Sequence, residues 1–179
     1  MTNYPSTKQP PHLLICARCG FGALRLARLA SRWLDEGSSE IRSQASKIHE
    51  AAGFALPFGE PPAPFRAPHC SVTEAGLRGR FLGWKPAPGE LSCAHGGTLF
   101  LDDLERWSHT SLMAIRLALE LGCINLTSEG GEGFFTSIPA RFRLIALCES
   151  FEAAPDWMRE ICEEISEEEI LGRIEGLTS

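Results

Sequence analysis

No stretch of the chain approaches the roughly 20 consecutive apolar residues that a membrane-spanning helix needs, so a helical membrane protein is not expected. The first residues also lack an apolar run. Met1 to Pro11 is polar and proline-bearing, with no apolar series before Leu13, and it does not read as a secretory leader. These two absences make the cytoplasm the expected compartment and residues 1–11 a flexible arm. Positive charge is in deficit as well. The net charge is −6, and acid gathers between Glu149 and Glu175, with Glu163, Glu164, Glu167, Glu168 and Glu169 nearly contiguous. Such a segment, read as a solvated helix face, gives no electrostatic ground for general nucleic-acid affinity. It leaves contact elsewhere open. There is no internal repeat, and no second cysteine pair at zinc-ligand spacing accompanies Cys16 and Cys19. Seven cysteines is an odd number; lying mostly in apolar segments, they read as small reduced core residues.

What is present suits one soluble domain: 179 residues, 44% apolar and 22% charged, enough to bury a core. His12 to Cys16 is an apolar run that reads as a buried strand. It enters a turn with two glycines, Ala17 to Gly22, and then a helix over Ala23 to Leu34, with Leu26, Leu29, Ala30 and Trp33 at helical spacing. Arg25, Arg28 and Arg32 fall on another side of that helix, a solvated or inter-subunit face. Glu40 to Ala52 predicts a second helix. Residues 55–90 hold most of the prolines, yet Phe65, Phe81, Leu82 and Trp84 make the segment too apolar for a plain linker. Thr98 to Leu101 is a second buried strand and Arg143 to Cys148 a third. Thr110 to Leu121 is an amphipathic helix. Cys123 to Thr127 and Phe134 to Ile138 flank a glycine-rich segment and read as a hairpin. Asp156 to Ile174 reads as an acidic helix in two pieces. Apolar strands alternating with helices argue an α/β fold with a mainly parallel sheet.

Two segments sit where phosphate chemistry would be expected. A phosphate-binding loop follows a buried strand, opens a helix and has the pattern G-x-x-x-x-G-K-[ST]. Its backbone N–H groups and lysine hold phosphates, and its hydroxyl holds Mg²⁺. Here the corresponding residues are Ala17, Arg18, Cys19, Gly20, Phe21, Gly22, Ala23 and Leu24. Gly22 keeps the second glycine, whereas Ala17, Ala23 and Leu24 replace the first glycine, the lysine and the hydroxyl. The other segment, Gly97 to Asp103, is an apolar strand ending in two acids. In this pattern the first acid, Asp102, orients the metal and the second, Asp103, aligns the attacking water. Two competing readings have weaker support. Cys16-Ala17-Arg18-Cys19 between strand and helix suits a thioredoxin-like redox site, but the later segments do not fit that fold. His69 with Cys70, and Cys93 with His95, are isolated zinc-type pairs.

Three ordered blocks join these segments: Phe65-Arg66-Ala67-Pro68-His69, Pro88 through Asp102, and Pro139 through Ala146. With Lys47 to Gly53, they resemble the magnesium-chelatase-like AAA+ proteins, and among these the competence-associated branch, over His12 to Leu147. The resemblance implies an AAA+ P-loop three-layer sandwich with a five-stranded, mainly parallel sheet, a loop insertion carrying the Pro88–Ser92 segment, and a β-hairpin before the sensor strand. It also implies ATP and Mg²⁺ as cofactors and a homo- or hetero-oligomeric ring with nucleotide between subunits. Residues 12–179 are then a divergent core without the family's helical lid.

Departures from the family cluster at the nucleotide. Ala23 and Leu24 remove a cation and a hydroxyl, Asp103 replaces a glutamate, and Glu149 stands where the family has a sensor asparagine. No counterpart of the arginine-finger segment is visible. The expected protein is a pseudo-ATPase, with nucleotide binding weak or lost, that serves as a ring or scaffold component. The competing expectation is a weak ATPase acting as a remodelling subunit.

Overall fold

A strand covered on both faces needs apolar side chains at every position. This is why the central strands of the sheet read as unbroken runs. The computed structural model describes residues 12–17, 22–31, 38–54, 63–128 and 133–175. Its main sheet has five strands: β1 (His12–Cys16), β2 (Phe65–Arg66), β5 (Thr98–Leu101), β8 (Arg143–Cys148) and β9 (Cys162–Ser166), in the order β2-β5-β8-β1-β9. All four pairings are parallel. The expected α/β fold with a five-stranded parallel sheet is therefore present.

Alternate side chains divide the core into two layers. Leu13 and Ile15 of β1, Phe100 of β5, and Ile145 and Leu147 of β8 pack with Leu26, Ala27 and Ala30 of α1 (Ala23–Ser31) and with Ile170 of α7 (Glu167–Glu175). Leu14, Leu99, Leu101, Leu144 and Ala146 face the other way. There they meet Ile48 of α2 (Ser39–Ala51), Ile115 and Ala118 of α5 (His109–Leu121) and Met158 of α6 (Asp156–Ile161). Helices on both faces of the sheet make the three layers.

One element differs in kind from the sequence reading. Asp156 to Ile174 is not two pieces of one acidic helix. Residues 162–166 between α6 and α7 form β9, whose inner flank pairs with β1 in register His12↔Cys162 through Cys16↔Ser166. Of the glutamate run, Glu163 and Glu164 therefore lie on an edge strand, and Glu167, Glu168 and Glu169 form the first turn of α7. Ile165 is the β9 side chain sealed into the core, 1% exposed.

The proline-rich stretch is built of short elements. After β2 come α3 (Glu74–Arg78), a hairpin of β3 (Gly79–Leu82) and β4 (Lys85–Pro88), and α4 (Glu90–Cys93). Thr73 caps α3, its side chain accepting from the Gly76 N–H at 3.1 Å. The hairpin turns on Gly83 and Trp84, and Gly83 has φ +63°, as a tight two-residue hairpin requires. The second hairpin, β6 (Cys123–Thr127) with β7 (Phe135–Pro139), is antiparallel. The two hairpins touch through Phe81 and Phe134, with ring centroids 6.3 Å apart. Not all of this apolar content is buried: Leu82, Trp84 and Phe135 remain exposed.

The three blocks that carry the resemblance are bonded to one another. Arg66 grips Glu90 with two parallel bonds, Nε to Oε2 at 2.7 Å and Nη2 to Oε1 at 2.8 Å, and its guanidinium stacks on Phe54. His49 Nε2 lies 2.7 Å from the Cys93 carbonyl. His95 accepts from the Arg141 N–H at Nδ1 (3.0 Å), and its Nε2 faces Gln44 Oε1 (3.0 Å). Gly96 N–H donates to the Arg141 carbonyl at 2.7 Å. A Cβ on the adjacent Gly97 would lie 1.9 Å from the Pro64 carbonyl oxygen, which explains the glycine before β5. The Arg66–Glu90 pair is three-quarters buried, and charged hydrogen bonds of this kind contribute about 2 kcal/mol. Arg66→Ala and Glu90→Ala are each expected to lower the urea-unfolding free energy by about that amount. The double variant should lose little more than either one. Fully additive losses in that cycle would show that the pair is uncoupled.

Candidate functional site

In parallel α/β sheets, ligands bind at the carboxyl ends of the strands, because loops and helix N-termini converge there. At that end β1 finishes on Cys16, β5 on Leu101 and β8 on Cys148. The β1–β8 register continues one step beyond the strands, with Ala17 N–H donating to the Cys148 carbonyl at 3.1 Å.

Of the sequence-selected loop residues, Arg18, Cys19, Gly20 and Phe21 lie outside the described residues. Gly22 immediately precedes α1, and its carbonyl accepts the Leu26 N–H at 2.9 Å. Ala23 is the first residue of α1. Leu24 is 44% exposed, so the position that would carry the metal-binding hydroxyl presents an apolar side chain to solvent. Of the arginines on α1, Arg25 and Arg28 are exposed, and Arg28 lies 4.6 Å over the Phe65 ring. Arg32 lies outside the described residues.

The two acids after β5 lie between the strand's last residue, Leu101, and a short turn that begins at Leu104. Asp102 is exposed, and its carbonyl accepts from Trp107 Nε1 at 3.0 Å, which pins the turn. Asp103 adopts φ 52°, ψ 64° and is the non-glycine residue with positive φ among the described residues. Aspartate tolerates this left-handed conformation better than most side chains, at a cost on the order of 1 kcal/mol. Its carboxylate faces Arg106 at 3.5 Å across a partly exposed pair, an arrangement that contributes little to stability.

Sequence reasoning missed Glu105, in the single 3₁₀ turn after β5. Its Oε1 accepts the Glu149 N–H at 2.7 Å, joining the acidic segment after β5 to the residue that follows β8. Asp102, Asp103, Glu105 and Glu149 thus all leave the same end of the sheet. A glutamate in a short turn carries no local sign of a bond 44 residues away, so no pattern in the sequence would have found it.

Two thiols also meet here. Cys16 and Cys148 are register partners, and their sulfur atoms lie 3.8 Å apart. Burial pushes the Cys148 thiol up, with the neighbouring Cys16 adding to it. Burial also raises the Cys16 thiol, and Glu164 and Glu152 add to that. The zinc-type pairs resolve differently. His95 is 1% exposed and held neutral, its pKa lowered to about 4 by burial and by Arg141. Burial raises Cys93 to about 11. His69 bonds Ser71 at 2.7 Å. Among the described residues no group of three or more His, Cys, Asp or Glu is arranged to hold a metal ion. None of the described helices is long and apolar enough to cross a membrane.

A family model for magnesium chelatase, subunit ChlI, matches residues 10–176. The chain belongs to that family. Its relatives include a Mycobacterium tuberculosis protein 34% identical over 170 residues, covering 92% of this chain and 33% of the relative. The competence protein ComM of Haemophilus influenzae is 36% identical over 124 residues, 69% of this chain and 23% of that protein. YifB of Escherichia coli is 41% identical over 83 residues, 46% of this chain and 15% of YifB. The chain thus spans at most about a third of the length of these relatives. Among solved structures, NtrX from Brucella abortus in complex with ATP superposes with a TM-score of 0.56 at 17% identity, covering 87% of this chain and 32% of NtrX. Its ADP complex gives 0.54 at 15% identity, over 93% and 35%. At such identity the likeness is one of fold.

Proposed function

We propose that this magnesium-chelatase-like AAA+ domain has a degraded ATP site. It serves in the cytoplasm as a non-hydrolysing component of a homo- or hetero-oligomeric ring or scaffold. The observation that carries this reading is the imbalance at the carboxyl end of the sheet. Acidic side chains leave the turns after β5 and β8, while α1 opens on Ala23 and an exposed Leu24. The residues fit one half of Mg²⁺-ATP. Asp102 and Asp103 are hard oxygen donors of the kind Mg²⁺ takes. The triphosphate is not matched, because no ammonium stands at position 23 and no hydroxyl at 24, and Glu149 adds like charge. That the fold-alike NtrX of Brucella abortus is solved in complex with ATP and with ADP supports reading this fold as one that once served a nucleotide.

The two retained acids favour the second reading, a weak ATPase that completes its site with a neighbouring subunit's residues. Turnover separates the two. Losing two charge-assisted contacts should cost several kcal/mol, placing the Mg²⁺-ATP dissociation constant in roughly the millimolar range or weaker. Calorimetric titration reads the affinity. Phosphate release by the intact protein is compared with that of an Asp102→Ala, Asp103→Ala double variant, and equal background turnover in both is expected. Turnover of about one per second, lost in the double variant, would establish the ATPase instead.

A further inference from the structure

Cys16 and Cys148 are 132 residues apart in sequence and side by side in space. Register partners on neighbouring parallel strands point to the same face of the sheet, with backbones about 4.8 Å apart. A disulfide spans Cα separations of about 4.4–6.8 Å, so the two backbones already stand within bridging range. The sulfur atoms, 3.8 Å apart, need only side-chain rotation to close to the bonded distance of about 2.05 Å. Access is unequal: Cys148 is 0% exposed, whereas Cys16 is partly open at the strand end. Among the described residues no other cysteine pair has its sulfurs within this range.

We propose that Cys16 and Cys148 form a dithiol modification site that closes to a disulfide on reaction with a low-molecular-weight disulfide. The more accessible member reacts first. Cys16 loses its proton to solvent, and its thiolate attacks one sulfur of the oxidant. A mixed disulfide forms and one small thiolate leaves. Cys148 then attacks the Cys16 sulfur, its proton passing to the second small thiolate as that leaves, and the Cys16–Cys148 bond forms. The protein loses two hydrogens, and the oxidant is reduced to two thiols. Thiols held in their protonated form react slowly, so exchange proceeds over minutes to hours. The product staples the strand that ends on Cys16 to the strand that ends before Glu149. This inference rests on the sheet register and is independent of whether ATP binds.

The test uses the whole reduced chain, incubated with glutathione disulfide, alkylated without reduction, digested and analysed by mass spectrometry. The expected result is a mass loss of about 2 Da, one peptide linking Cys16 to Cys148, and reversal by dithiothreitol. Cys16→Ser should abolish the link and leave Cys148 unmodified in the folded protein. Cys148→Ser should trap glutathione on Cys16. Three outcomes would overturn the proposal: glutathione persisting on Cys16 of the unaltered chain, a Cys16–Cys19 link in place of the expected one, or no reaction at Cys16.

Discussion

Between pH 7 and pH 5 the protein is expected to lose about 4 kcal/mol of folding stability through two histidines alone. His12 and His95 are 7% and 1% exposed. Each uses Nδ1 to accept a backbone N–H beside β8: His12 from Leu144 and His95 from Arg141, both at 3.0 Å. Protonating Nδ1 would set one N–H against another. Burial, aided by Arg143 for His12 and Arg141 for His95, lowers both pKa values from 6.5 to about 4. The folded state therefore binds protons later than the unfolded chain. The stabilising contribution is fully present above about pH 6.5 and falls away as the pH drops toward 4. At pH 5 the loss is about 2 kcal/mol per ring. Urea midpoints at pH 7 and pH 5 read the loss, and a His12→Gln, His95→Gln double variant should flatten that pH slope whatever its absolute stability. An unchanged slope in the double variant would assign the acid sensitivity to carboxylates.

Phe100→Ala should cost about 4 kcal/mol, the usual range for emptying a buried aromatic site. Phe100 is 1% exposed at the centre of the layer formed by α1, α7 and the sheet, and its ring lies 6.2 Å from that of Phe65 on the neighbouring strand. For a domain of this size such a loss lowers the melting temperature by roughly 12 °C. Phe100→Leu, which keeps most of the volume, should recover more than half of it. If the alanine variant melted within about 3 °C of the parent, this layer would not be the rigid core described.

Much of the fold was legible because physics imposes repetition on it. Burial on both faces writes itself into His12–Cys16, Thr98–Leu101 and Arg143–Cys148 as unbroken apolar runs, and each is a strand with those bounds. The β6–β7 hairpin was marked by glycines between two alternating segments. β9 was hidden because an edge strand has one free flank and tolerates acid. Cys162-Glu163-Glu164-Ile165-Ser166 supplies a single sealed side chain, too little to outweigh the helical signal on either side. The short elements of residues 65–93 were hidden by prolines that punctuate them without naming them. At the site, Asp102 and Asp103 were visible because a strand ending in acids is a local pattern. The Glu105–Glu149 bond and the thiol contact depend on which strands become neighbours, which no local pattern records. His95 looked like half of a zinc pair, whereas its surroundings make it a neutral clamp on Arg141.

The borders of the main sheet bear on how copies of this domain could meet. One border is β2, two residues long, and the other is β9, carrying Glu163 and Glu164. A strand so short offers almost no template for a further backbone ladder, and like-charged side chains on a border oppose an identical border approaching it. Among the described residues, neither border invites the cross-β stacking by which flat, apolar strand edges grow into fibrils. Copies that associate would do so through side-chain surfaces, and a destabilised variant should precipitate as amorphous material rather than as ordered fibres.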